Sequence, residues 1–445
     1  MSNITVDFSK SCGKMKIMHA VNGGPVGKGV RAAFSNFQEF MDAEIPYARN
    51  HDVSFFDGYG GEHTVDVHRI FKNFDADVND PASYWFEATD KYMANLDTAG
   101  VKCFYRLGAS IEHGTKYGTY PPKDFQKWAE ICEHIIRHYT EGWANGFHYD
   151  IKYWEIWNEP DCLNRDGTNP CWQGTKEQFV DLFITTVRHL KSNFPNLKIG
   201  GPAFCGCWDD AYNEMIFDAL KENGLSIDFF SFHGYRNEPK LYAEDGDHAY
   251  AFLEKYGLAG KVELILNEWN YVRSWSGDGF EHSIRSMKEL KGSSFIAGTM
   301  CVGQTSALDM MMYYDSRPTR WCGMFHTDFH TPLKGYYPFL MYHDLYKMGE
   351  HVYSETDDKE LYAVAATGEN AQGVMLTYFS DDDKAVAKDI EVTLSGIAAP
   401  VTAEYYLQDE ANDYSIIRKE TITADNFTVN LHLKPFTTYF IKLVK

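Results

Sequence analysis

The chain has 445 residues, 44% of them hydrophobic and 24% charged, too many for one ordinary domain and enough for a barrel of roughly 250–350 residues plus a smaller module. Its formal net charge of −21 argues against nucleic acid as a partner, because phosphate binding needs a basic footprint. No run of about 18 apolar residues occurs, so no membrane span is expected.

The N-terminal stretch MSNITVDFSKSCGKMK has no apolar h-region and no small-residue cleavage site. That predicts no signal peptide and a cytoplasmic protein. The nine cysteines, at 12, 103, 132, 162, 171, 205, 207, 301 and 322, are then expected as reduced thiols. Cys162 and Cys171 flank one loop and are placed to pair in an oxidising compartment. The alternation Ile4-x-Val6-x-Phe8 reads either as a strand added to a later sheet or as a loose N-terminal arm.

From residue 15 to about 351, strand-like apolar runs alternate with amphipathic helical ones. The runs are Lys16–Val21, Ile45–Arg49, Val101–Leu107, Tyr153–Trp157, Lys198–Gly201, Ile227–Phe232, Glu263–Asn267 and Met310–Tyr314. Eight strands with helical crossovers predict an α/β fold, the closed (β/α)8 TIM barrel. Between them, Asp124–Tyr139 carries Phe125, Trp128, Ala129, Cys132 and Ile135 on one helical stripe. Thr175, with Gln178 three residues on, is in capping-box register for a helix Lys176–Phe194. Gly335–Gly349 reads as the eighth helix, with Pro338 in its first turn.

After about residue 352 helical spacing stops and seven short alternating runs appear between turn signals. They predict a β-sandwich over 352–445, with 1–14 as the candidate extra strand and 15–351 as the catalytic barrel.

Chemistry concentrates at two strand ends. Trp154-Glu155-Ile156-Trp157-Asn158-Glu159-Pro160 ends the fourth barrel strand, and Leu264-Ile265-Leu266-Asn267-Glu268-Trp269-Asn270 ends the seventh. A glutamate at a strand's C-terminal end lies where a barrel places its active site, and two across the mouth can flank a sugar. Asn158 is a candidate for the sugar's 2-hydroxyl, and Arg49 is the candidate cation beside Glu268. His233 and Tyr235 end the sixth strand as candidate hydrogen-bond donors, and Trp269 and Tyr314 are further candidate substrate contacts. Trp208, Trp275 and Trp321 lie in or near the mouth loops and could stack on sugar; Glu112-His113 could contact sugar or cap a helix. No metal constellation stands out, and no cofactor is called for.

Trp157-Asn158-Glu159-Pro160 resembles the acid/base motif of the large clan of (β/α)8 retaining glycosidases, and Ile265-Leu266-Asn267-Glu268-Trp269-Asn270 resembles its nucleophile motif. With Val21-Asn22-Gly23-Gly24-Pro25, Arg49-x-His51-Asp52, His233-x-Tyr235 and the trailing sandwich, the chain is similar to glycoside hydrolase family 39. That family holds β-xylosidases, α-L-iduronidases and relatives. The resemblance implies Glu159 as acid/base and Glu268 as nucleophile, with Asn158, Arg49, His51, His233 and Tyr235 around the sugar. It implies an oligosaccharide or glycoside substrate, and a homo-oligomer is compatible with it. The expectation is a retaining exo-glycosidase on short oligosaccharides, β-xylosides first. The alternatives are the same mechanism on a uronide (for which Arg317 is the motive), arabinoside, glucoside or galactoside, or a sugar-binding protein that has lost catalysis.

Overall fold

The computed structural model describes residues 2–27, 34–53, 63–111 and 118–445. Glu112-His113 lie outside the described residues. A strand β1 (Ser2–Lys14) precedes eight parallel strands that close a barrel. These are β2 (Ile17–Asn22), β3 (Tyr47–Arg49), β4 (Lys102–Leu107), β5 (Tyr153–Ile156), β6 (Lys198–Phe204), β7 (Phe229–Arg236), β8 (Glu263–Tyr271) and β9 (Met310–Tyr313). They neighbour one another in chain order, and β9 closes on β2. Among the described residues no helix is long and apolar enough to cross a membrane.

Each expected strand is present. The sixth and seventh run on, to Arg236 and Tyr271, because polar residues of the barrel mouth continue the ladder beyond the last apolar one. The helices follow the local signals. Asp124 caps the helix Phe125–Glu141 by accepting the Lys127 N–H at 3.0 Å. Thr175 and Gln178 form the reciprocal capping box of Lys176–Asn193.

The barrel interior is layered by the two-residue period of its strands. Ala20, Tyr47, Phe104, Tyr153, Phe229, Ile265 and Met310 make one apolar layer. Two residues further along the same strands stand Asn22, Arg49, Arg106, Glu155, Ser231 and Asn267, all buried and all polar. The candidate site described below rests on this second layer.

The C-terminal strands are β10 (Glu350–Thr356), β11 (Leu361–Thr367), β12 (Ala371–Tyr378), β13 (Lys388–Ser395), β14 (Val401–Gln408), β15 (Asp413–Ile422), β16 (Asn426–Leu433) and β17 (Thr438–Val444). With β1 they form one continuous sheet, β15-β14-β17-β12-β11-β10-β1-β13-β16. The sandwich is therefore one sheet folded over its own core rather than two separate sheets. Ile4, Val374, Val392, Ala403 and Ile441 meet in that core. The opposite faces of β11, β12 and β17 present Val364, Met375 and Phe440 to the barrel core, against the helices Leu290–Thr305 and Tyr337–Met348. A polar seam completes the contact: Arg273 Nη1 lies 2.9 Å from Asp383 Oδ2, and Tyr271 donates to Asp381 at 2.5 Å.

Candidate active site

Glu268 owes its orientation to a bulge. In the β7–β8 ladder Phe232 pairs with Leu266 but His233 pairs with Glu268, so Asn267 is the extra residue. A bulge bends the strand and lets consecutive side chains share a face. Asn267 points inward to hydrogen-bond Glu155, and Glu268 also points inward. Glu268 is 4% exposed and well supplied with donors. Arg49 Nη1 donates to Oε1 at 2.9 Å, and the Tyr235 hydroxyl donates to Oε2 at 2.8 Å. His51 Nε2 stands 3.4 Å from Oε1. Burial pushes the Glu268 carboxyl up to about 7, with His233 and Arg49 pulling the other way.

Arg49 is wholly buried and works as a strut between strands. Its Nε donates to Glu155 at 2.7 Å, Nη1 also reaches Asn22 at 3.3 Å, and Nη2 donates to Asn158 at 2.7 Å. Ser231 and Asn267 complete the shell of Glu155. A planar guanidinium with several fixed donors suits this position better than a lysine ammonium would.

Glu159 sits just past β5, where Trp157 and Glu159 have positive φ of 76° and 47°. Non-glycine residues take this conformation at a cost, which the surrounding contacts must offset. The Glu159 N–H is held by the Ala203 carbonyl at 2.8 Å, and the Trp157 indole donates to the Cys171 carbonyl at 3.0 Å. Glu159 is 9% exposed and, among the described residues, has no arginine bonded to its carboxylate. Its Oε1 meets His233 Nδ1 at 2.7 Å, and its Oε2 meets the Cys171 thiol at 3.8 Å. Burial, reinforced by Cys162, pushes its carboxyl up to about 8. Burial lowers His233 to about 4, so that ring is neutral. One carboxylate oxygen from each glutamate and His233 Nδ1 all lie within 4.8 Å of one another.

The structure thus brings Glu159, Glu268, Asn158, Arg49, His51, His233 and Tyr235 together. Tyr314 reaches the same mouth, donating to Asp52 at 2.8 Å beside His51. Trp269 does not belong there. Next to an inward Glu268 it must point outward, and it is 0% exposed among Tyr242, Phe295 and Tyr313 in the layer between barrel and helices. Trp275 and Trp321 flank Tyr235 at 5.1 and 5.8 Å, whereas Trp208 stacks on His248 at 4.0 Å. Arg317 is nearly buried and lines a cavity with Gly24, Val53 and Tyr92. Among the described residues, Asn158 Nδ2, His51 Nδ1 and His233 Nε2 have no hydrogen-bond partner although buried. Glu155 was not singled out from the sequence; its two-residue offset from Tyr153 was the available signal.

The sequence model of glycosyl hydrolases family 39 matches residues 31–260. A β-xylosidase from Geobacillus stearothermophilus is 31% identical over 181 residues, covering 38% of this chain and 34% of the relative. This chain thus aligns with about a third of that relative's length. A glucosidase from Croceicoccus marinus shares the fold with a TM-score of 0.80 at 18% identity, over 100% of this chain and 99% of that one. A monomeric β-xylosidase from Caulobacter crescentus does so with a TM-score of 0.68 at 14% identity, over 100% and 99%. With over half its length inside the matched region, the chain belongs to glycosyl hydrolases family 39.

Proposed function

We propose that this protein is a retaining exo-glycosidase that releases terminal sugars from short β-xylosides. The observation that carries the reading is the closeness of two unlike carboxylates, with oxygens within 4.8 Å. Inverting enzymes hold their carboxyl groups about 6.5–9.5 Å apart to admit a water, whereas retaining ones need only about 5–5.5 Å. Glu268, bonded by Arg49 and Tyr235, is equipped to act as an anion. Its carboxylate attacks the anomeric carbon as the bond to the leaving oxygen breaks, and that oxygen takes the proton of Glu159. Glu159 then accepts a proton from water, which displaces Glu268 from the sugar. The unpaired Nδ2 of Asn158 and Nδ1 of His51 supply donors for sugar hydroxyls. The deep burial of both carboxylates supports a site for a chain end, and the β-xylosidase relative supports xylose.

The test is hydrolysis of aryl xyloside, glucoside, galactoside, arabinosides and uronides by wild type and by Glu268→Ala. The glucoside is included because a protein of the same fold is a glucosidase. Xyloside turnover should fall by on the order of 10⁴-fold or more in the variant. Added azide should restore aglycone release and yield a xylosyl azide of inverted configuration. Absence of that product would remove Glu268 as nucleophile, preference for another glycone would replace xylose, and mid-chain cleavage of xylan would end the exo reading.

A further inference from the structure

Three thiols gather around Glu159, and nothing in the double displacement uses them. Cys162 lies three residues beyond Glu159, Cys171 lies later in the same loop, and Cys205 follows β6. Cys171 Sγ is 3.8 Å from Glu159 Oε2. One ligand atom each of Glu159, Cys162 and Cys205 lie within 4.8 Å of one another. Cys162 stands beside both Cys171 and Cys205, and its thiol raises the pKa of each. None of the three sulfurs is in a disulfide, and Cys205 is exposed, which leaves an approach from solvent.

Cys162, Cys205 and one Glu159 oxygen make a three-ligand set, with Cys171 Sγ, 3.8 Å from Glu159 Oε2, as the candidate fourth ligand. Zinc binds thiolate at about 2.3 Å in tetrahedral sites, which places its sulfurs about 3.8 Å apart. Glu159, Cys162 and Cys205, within 4.8 Å of one another, are close enough for side-chain rotation to bring them to that spacing. Sulfur-rich sets select soft, thiophilic ions over magnesium or calcium. We propose that Cys162, Cys171, Cys205 and Glu159 form a binding site for a thiophilic divalent cation of the zinc and cadmium class, and that occupancy inhibits turnover by taking the Glu159 carboxylate. The second half rests on the reading of Glu159 as acid/base, and the first does not. Binding displaces the thiol protons and the Glu159 proton to solvent, so affinity rises with pH. A carboxylate bonded to the cation has no proton to give a leaving group.

The test uses the full chain, kept reduced by a phosphine and first freed of metal with a chelator. Cadmium titration should produce thiolate-to-cadmium ultraviolet absorption that saturates at one ion per chain, and zinc should displace it. Xyloside hydrolysis should fall in step with occupancy and return with chelator. Cys162→Ser/Cys205→Ser should lose the absorption and the inhibition, and Cys171→Ser alone should weaken both, a check in a chain with a smaller change. No thiolate absorption in wild type, or unchanged absorption in the double variant, would overturn the site. Saturating cadmium with full turnover would uphold the site and overturn its effect through Glu159. Failure of the azide experiment with a normal cadmium titration would strike the nucleophile and leave the cation site standing.

Discussion

Two glutamates of the same chemistry are set apart by what touches them. Glu268 accepts from a guanidinium and a phenol, and Glu159 faces a neutral imidazole and thiols. Burial raises both, Glu159 to about 8 and Glu268 to about 7. The proposed mechanism needs Glu268 ionised, a form gained as pH rises through its pKa, and Glu159 protonated, a form lost as pH rises through its own. In chelator-treated enzyme, kcat/KM against pH should therefore be bell-shaped, its two limbs belonging to the pair as a unit. Tyr235→Phe removes one donor to the anion and should move the acidic limb upward by about one to two units, since a bond to a charged group contributes roughly 1.5–3 kcal/mol. An acidic limb that stays in place would remove Tyr235 from the support of the Glu268 charge.

At the scale of the element, β8 shows what a sequence tells and what it hides. Its apolar run marks a barrel strand, because a strand covered on both faces must be apolar throughout. The run ends at Asn267, yet the ladder continues to Tyr271, since hydrogen bonding does not require apolar side chains. The bulge at Asn267 left no mark in the residue types, and so Trp269 read as a neighbour of the sugar. The same limit applied to the thiols: Cys162 and Cys205 are far apart in sequence and meet because adjacent strands end at one mouth. β10 was missed because Glu350–Thr356 carries little apolar alternation. The two tryptophans beyond Glu268 should separate cleanly on substitution. Trp269→Ala empties a packed site and should cost about 3–5 kcal/mol of stability in denaturant titration. Trp275 is 59% exposed and 5.1 Å from the Tyr235 ring, so Trp275→Ala should leave stability unchanged and raise KM several-fold. An unchanged KM would place Trp275 outside the substrate's reach.

For the whole molecule, the distinctive feature is β1. It pairs antiparallel with β10 and parallel with β13, so it sits inside the C-terminal sheet rather than at an edge. Ile4 and Val6 are fully buried in the core of that sheet. Ile4→Ala should cost about 2–5 kcal/mol, close to the penalty for any aliphatic core residue. A cost near zero in denaturant titration would mean that the strand is peripheral. The sheet in turn packs β11 and β12 on barrel helices, and the Arg273–Asp383 pair ties the exit of β8 to the sheet.

This placement has a consequence for synthesis. A ribosome makes β1 before any strand that will hold it, since β10 begins at Glu350 and β13 at Lys388. At about 5–20 residues per second that interval is roughly 20–70 s. Throughout it Ile4, Val6 and Phe8 belong to a segment whose strand partners have not yet been made, the kind of segment that pairs with strangers. The eight barrel strands are all translated within the same interval, so the tail must stay out of a barrel that can already close. The last sheet to be completed is thus finished by a segment made before the barrel.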